Sequence, residues 1–180
     1  YALGTAQLDY LLATPFRYPT RAGGSRFRAA NDPGVFYAAE SVMTAAAELG
    51  YWRWKFLKDA PDLNHIEPVA HTAFEISAST TVIDLRLAPF SNDAAWLSKT
   101  NYEATQAIAK IARGVGLGGI LYQSVRNPDP SWCVAILKPE AFSAPKPNPT
   151  MQTWWLAVKQ DEVVWRRDNE SITFMADIWG

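Results

Sequence analysis

The sequence predicts an α+β fold, a single domain of mixed, short-stranded sheets with flanking helices. Length is the first observation behind this: 180 residues make one domain, and a chain of that size buries a core without disulfides or metal. The second is composition, 48% hydrophobic and 19% charged, which suits a globular chain and not a disordered one. The third is punctuation. Short runs of strand formers alternate with two or three helical periodicities, and Pro- and Gly-rich connectors divide them.

In order, Leu3, Leu8, Leu11 and Leu12 stand roughly at helical spacing, which predicts a short helix within residues 1–14 that ends at Pro15. A loop-rich passage, PFRYPTRAGGSRFR, follows. The turn residues NDPG lead into a short strand at 35–37. Residues 40–57 read as a helix, with Val42, Ala45, Ala46 and Leu49 as the apolar stripe. Ser41, Thr44 and Glu48 fall on an adjacent polar stripe, so Glu48 is placed at the edge of the buried face. Gly50 costs about 1 kcal/mol relative to Ala, and a bend or stop is expected there.

A loop over 58–64 precedes strands at 70–77 and 80–87, then a helix over 96–113 capped by Thr100 or Asn101. GVGLGG follows that helix and precedes a strand, whereas a phosphate-binding loop follows a strand and opens a helix; it reads as a C-cap and turn. Strands at 120–125 and 132–137 flank RNPDPS. A Pro-rich connector spans 138–150, and a hairpin spans 153–166 about Lys159, Gln160 and Asp161. No internal repeat and no second core is evident, so one domain over 1–180 is expected, with six or seven strands and two or three helices.

Net charge of −1 argues against a general nucleic-acid or acidic-membrane binder, which needs a positive field. Arg17, Arg21, Arg26 and Arg28 nevertheless crowd one stretch with no acidic residue between them, a candidate anion site. The lone Cys133 lies in an apolar run and reads as a core residue in a reducing compartment. No apolar run is long enough to span a membrane, and there is no signal-peptide pattern; a cytoplasmic protein is the expectation. The chain begins on Tyr1, not Met, which leaves room for residues upstream.

His65 and His71 lack the spacing and companions of a metal site, and no GxSxG elbow surrounds Ser124. The tryptophans of the tail (Trp154, Trp155, Trp165, Trp179) suit stacking on sugars or bases, but more simply pack a core. The arginines, Tyr37, Glu48 and Ser124 remain. Arginines suit a pyrophosphate, an aromatic face suits a planar base, and a carboxylate beside a ribose stabilises the oxocarbenium-like state of N-glycosidic cleavage. The same residues also fit an ordinary strand and helix with a surface Tyr and a solvated Glu.

Their order has a resemblance. Phe16-Arg17-Tyr18, Gly24-Ser25-Arg26-Phe27, Val35-Phe36-Tyr37-Ala38-Ala39-Glu40, Ala45-Ala46-Ala47-Glu48 and Tyr122-Gln123-Ser124-Val125-Arg126 together resemble the RES-domain family, named for an Arg, a Glu and a Ser. The matching core runs over about 15–137. The resemblance implies an ADP-ribosyltransferase-like fold with an NAD cleft. It implies a bacterial type II toxin that cleaves the nicotinamide–ribose bond of NAD as a glycohydrolase or, with inorganic phosphate as co-substrate, a phosphorylase.

NAD is then substrate, with no resident cofactor or metal expected. The implied partner is an Xre-like helix-turn-helix antitoxin, through which the toxin assembles; direct nucleic-acid and membrane binding are not expected. Carried over, Arg17 is the family's Arg, Glu48 its Glu and Ser124 its Ser. Arg26 is the second cation, Tyr37 the aromatic wall, and Tyr18 a further cleft residue. GSRFR leaves Arg28 open as the second cation in place of Arg26. Two other functions stay open: ADP-ribose transfer to a macromolecule, and a non-enzymatic ligand- or partner-binding domain using the aromatic tail. Transferases of this kind often place Glu or Gln just before the catalytic Glu, where this chain has Ala46-Ala47.

Overall fold

The computed structural model describes residues 4–18 and 24–180. Its elements are α1 (Tyr10–Arg17), β1 (Phe36–Ala39), α2 (Val42–Asp59), β2 (Ile66–Ala73), β3 (Val82–Asp84), α3 (Glu103–Gly114), β4 (Gly119–Gln123), β5 (Trp132–Ile136), β6 (Gln152–Val158), β7 (Glu162–Arg167) and β8 (Glu170–Met175), with short 3-10 turns between some of them. The class is α+β, as expected, with two four-stranded sheets ordered β1-β5-β4-β3 and β2-β6-β7-β8. Contacts gather into two compact units. One comprises Tyr1–Ala38, Glu75–Gln123 and Trp132–Asn148; the other comprises Ala39–Phe74, Ser124–Ser131 and Pro149–Gly180.

In the first unit, Asp9 caps α1 by accepting from the Leu11 N–H, and the helix runs through Pro15 instead of ending there. Pro15 removes only one helical donor in a segment that stops two residues later. Gly34 lets the helix approach, because a Cβ at that position would collide with the Pro15 carbonyl and Phe16 Cα. Leu3 and Arg21 lie outside the described residues. The expected helix over 96–113 is shorter: 3-10 turns occupy Phe90–Asn92 and Ala94–Leu97, and α3 begins at Glu103, whose N–H donates to Asn101 Oδ1 at 2.9 Å. Ala109 and Ala112 are buried on its inner face.

GVGLGG is the C-cap that the sequence predicts. Gly116 has φ 78°, its N–H reaches the Arg113 carbonyl, and the Leu117 N–H reaches the Ala112 carbonyl. The chain then enters β4, which pairs parallel with β3 and antiparallel with β5. Cys133 is buried on β5.

In the second unit, α2 starts under a Ser41 cap and runs unbroken past Gly50 to Asp59. The helix does not stop at Gly50. Its buried face is Thr44, Ala46, Ala47, Gly50, Tyr51 and Leu57, while Ala45 and Leu49 are exposed, so the apolar stripe is rotated from the one expected. Glu48 remains at the edge of that face.

The all-antiparallel sheet β2-β6-β7-β8 packs its inner side on α2 through Trp154, Leu156, Val158, Val163, Trp165 and Phe174, joined by Trp179. The hairpin of β6 and β7 matches expectation. Strand β8 was not anticipated, because ESITFM is short and follows a turn centred on Asp168 at φ 48°. Three of the tail tryptophans are buried and Trp155 is exposed, as a core reading of that segment requires.

Candidate functional site

Glu48 and Ser124, 76 residues apart in sequence, meet in the second unit. Ser124 Oγ donates to Glu48 Oε1 at 2.6 Å, a charge-assisted length. The same oxygen accepts the N–H groups of Arg126 at 3.3 Å and Asn127 at 3.2 Å. A serine hydroxyl has one proton to give, and with two backbone donors aimed at its lone pairs that proton is directed at the carboxylate. The loop that carries this 124–127 turn is closed at its ends by the Ser124 N–H to the Ser131 carbonyl at 2.9 Å. Asn127 Nδ2 fixes it further, bonding Ser131 Oγ at 2.9 Å and Thr44 Oγ1 at 3.3 Å.

Arg126 ends the Tyr122-Gln123-Ser124-Val125-Arg126 motif, and the sequence alone assigns it no role. It is 3% exposed. Its guanidinium lies 3.4 Å from the centroid of the Tyr51 ring and 6.0 Å from that of Trp52. Tyr51 and Trp52 stand three and four positions after Glu48, on the same side of α2. A fixed cation is therefore stacked one helical turn from the carboxylate. Its adjacency to Ser124 in QSVRN was the available signal.

The cationic set is built in the first unit. Residues 25–28 form a tight turn, closed by the Ser25 N–H to the Arg28 carbonyl at 2.7 Å and the Arg28 N–H to the Ser25 carbonyl at 3.2 Å. Arg26 is buried, donating through Nη1 to the Trp96 carbonyl at 3.3 Å and lying 4.7 Å from the Tyr102 ring centroid. Arg28 spends Nε on the Asp32 carbonyl at 3.1 Å and Nη2 on the Tyr18 carbonyl at 2.9 Å. Its two bonds tie backbone to backbone. Arg17, at the end of α1, is exposed and reaches the Thr5 carbonyl at 3.5 Å; Tyr18 is also exposed.

Tyr37 sits on β1 with its hydroxyl 2.9 Å from the Phe27 N–H and 2.8 Å from Ser25 Oγ. The residue as a whole is 39% exposed, but its hydroxyl faces the turn, and desolvation there raises its pKa above the ordinary tyrosine value, opposed by those hydrogen bonds and by the positive fields of Arg113 and Arg26. Helix α3 holds the other side of the turn: Gln106 Nε2 donates to the Ser25 carbonyl at 2.9 Å, and Arg113 Nη2 to the Phe27 carbonyl at 2.9 Å. Burial pushes the Arg113 guanidinium below its usual pKa, partly offset by Asp32, 3.7 Å away. Gln106 and Arg113 are seven apart, two turns of one helix, a spacing that sequence reasoning passed over.

Among the described residues, no group of three or more His, Cys, Asp or Glu side chains is placed to hold a metal ion. No described helix is long and apolar enough to cross a membrane.

No curated protein matches the chain. The family comparison does match: residues 1–159 align with the RES domain, which takes in every motif named above. RES domains are associated with toxin–antitoxin systems and with NAD-related activity. With most of its length matched, and with the Glu–Ser pair hydrogen-bonded, this chain belongs to the RES-domain family.

Proposed function

We propose that this protein degrades NAD by cleaving its nicotinamide–ribose bond, as the toxin of a bacterial toxin–antitoxin pair acting in the cytoplasm. The observation that carries the reading is the 2.6 Å hydrogen bond from Ser124 to Glu48 within a family of NAD-related activity. As the bond to nicotinamide breaks, positive charge develops on the ribose. The Glu48 carboxylate stabilises that charge, and Ser124 keeps it aimed. Arg26 and Arg17 meet the pyrophosphate, and Tyr37 offers a ring face to the substrate. Tyr18 is a secondary contact, and Arg28, the other candidate for the second cation, serves here to shape the turn through the Asp32 and Tyr18 carbonyls.

The acceptor in this reading is water or inorganic phosphate. The positions before Glu48 are Ala46 and Ala47, 6% and 0% exposed, which supply no amide or carboxylate to steer a macromolecular acceptor. ADP-ribose transfer is the alternative, and labelled NAD incubated with cell lysate separates the two by whether label stays on a macromolecule. The domain is taken as one functional RES-like unit over 1–180, with an Xre-like helix-turn-helix antitoxin as its partner.

The deciding experiment incubates purified protein with NAD and follows nicotinamide. Release by the wild type and its loss in Glu48→Ala are expected. Equal release from both would sink the assignment, and release that grows with added phosphate identifies phosphorolysis.

A further inference from the structure

The carboxylate–serine pair is gripped from a part of the chain that the family match does not cover. Residues 160–180 lie beyond the matched 1–159, yet they place two indoles on the backbone of the site. Trp165, on β7, donates Nε1–H to the Ala46 carbonyl at 3.2 Å. Trp179, after β8, donates Nε1–H to the Arg126 carbonyl at 2.8 Å. Ala46 stands two residues before Glu48, and Arg126 two residues after Ser124. One tryptophan therefore holds the helix that carries the acid, and the other holds the turn that carries its partner.

The two indoles share a seat. At Gly50, two residues past Glu48, a Cβ would lie 3.1 Å from Val163 Cγ1, 3.5 Å from Trp165 Nε1 and 3.6 Å from Trp179 Cη2. A glycine in mid-helix is unfavourable by propensity, and here it opens the space that the two rings and Val163 occupy. Both indoles are buried, at 4% and 6% exposure, so their N–H groups need acceptors inside the protein. The Ala46 carbonyl already serves the helix, and its second lone pair takes Trp165. A hydroxyl-to-carboxylate bond of 2.6 Å tolerates little displacement of either backbone.

We infer that Trp165 and Trp179 are positioning residues for the Glu48–Ser124 pair: their indole N–H groups set the spacing of α2 and the 124–127 turn. The inference rests on the NAD reading for its catalytic consequence, but its geometry is testable without NAD. Removing the Trp179 N–H frees the turn, so the Arg126 and Asn127 amides, which donate to Ser124 Oγ, lose protection.

The test uses Trp179→Phe and Trp165→Phe in the full chain, with benzothienylalanine at position 179 as a variant that keeps the ring shape and lacks only the N–H. Hydrogen exchange at the Arg126 and Asn127 amides is read first, and is expected to quicken by about tenfold for loss of one buried bond. Nicotinamide release is read next, below the melting temperature. The expected result is kcat down by about tenfold with KM within about twofold, and no further loss when Trp179→Phe is added to Ser124→Ala. Unchanged exchange in the benzothienylalanine protein overturns the inference, as does a lowered melting temperature with kcat intact. If the wild type leaves NAD untouched, the NAD reading falls, and the exchange measurement alone decides the positioning role.

Discussion

The turn at residues 25–28 and the Glu48–Ser124 pair are built on opposite plans. In the turn, side chains serve the backbone. Tyr37 takes the Phe27 N–H, Arg113 takes the Phe27 carbonyl, Gln106 takes the Ser25 carbonyl, and Arg28 bonds two more carbonyls. In the pair, the backbone serves a side chain: the amides of Arg126 and Asn127 fix a serine oxygen so that its proton points at a carboxylate. The first arrangement sets the shape of a loop, and the second sets the direction of a charge. Substitutions in the two regions should therefore fail differently, in affinity and stability for the turn and in turnover for the pair.

The largest effect is expected at Glu48. Glu48→Gln keeps shape and hydrogen-bonding capacity and removes the charge, so kcat for nicotinamide release should fall by about 10²–10³ with little change in KM, the range for losing one preorganised electrostatic stabiliser. A rise in KM with kcat unchanged would place Glu48 among the binding groups and erase the contrast with the turn. Ser124→Ala should follow with a kcat loss of about tenfold, corresponding to one charged hydrogen bond.

Arg26 and Arg28 sharpen the comparison within the turn itself. Arg26→Lys keeps a cation but loses the planar fork, and KM for NAD should rise by about tenfold with kcat retained. Arg28→Ala removes two bonds to carbonyls and should cost about 1–3 kcal/mol in a denaturant titration while leaving KM near wild type. The reverse pattern, KM raised by Arg28→Ala and untouched by Arg26→Lys, would make Arg28 the cation that meets the substrate.

Local patterns carried most of the fold, and helical periodicity placed Glu48 at the edge of the buried face of α2. The GVGLGG cap and the hairpin of β6 and β7 are set by neighbours in sequence, and could be read there; the Ser41 cap of α2 is equally local, yet periodicity alone starts that helix at Glu40 and puts Ser41 inside it. The phase of α2 could not be read there, because Thr44 is buried by bonding Ser41 and Asn127, a tertiary arrangement that reverses its usual preference. Gly50 misled for a related reason: propensity marks it as a break, whereas packing against Trp165 and Val163 makes the missing side chain useful. Arg28 illustrates the limit for the site. Nothing in GSRFR distinguishes a cation offered to substrate from one committed to the Asp32 and Tyr18 carbonyls.

Tyr37 supplies the smallest effect, and a pH signature for it. Tyr37→Phe removes the acceptor for the Phe27 N–H and the bond shared with Ser25, and should lower stability by about 1–2 kcal/mol at neutral pH. Because the folded-state pKa is raised, chiefly by burial, the unfolded chain sheds this proton first as pH climbs. Above about pH 10, the unfolded state binds fewer protons than the folded one, so the Tyr37 contribution declines with rising pH. It is complete below the ordinary tyrosine pKa and is lost as pH rises through the folded value. The stability gap between wild type and Tyr37→Phe, measured by denaturant unfolding, should accordingly be flat up to about pH 9 and narrow beyond about pH 10. A gap that stays constant into the alkaline range would mean that the phenol is as well solvated folded as unfolded, and that the turn is shaped by Arg113 and Gln106 without it.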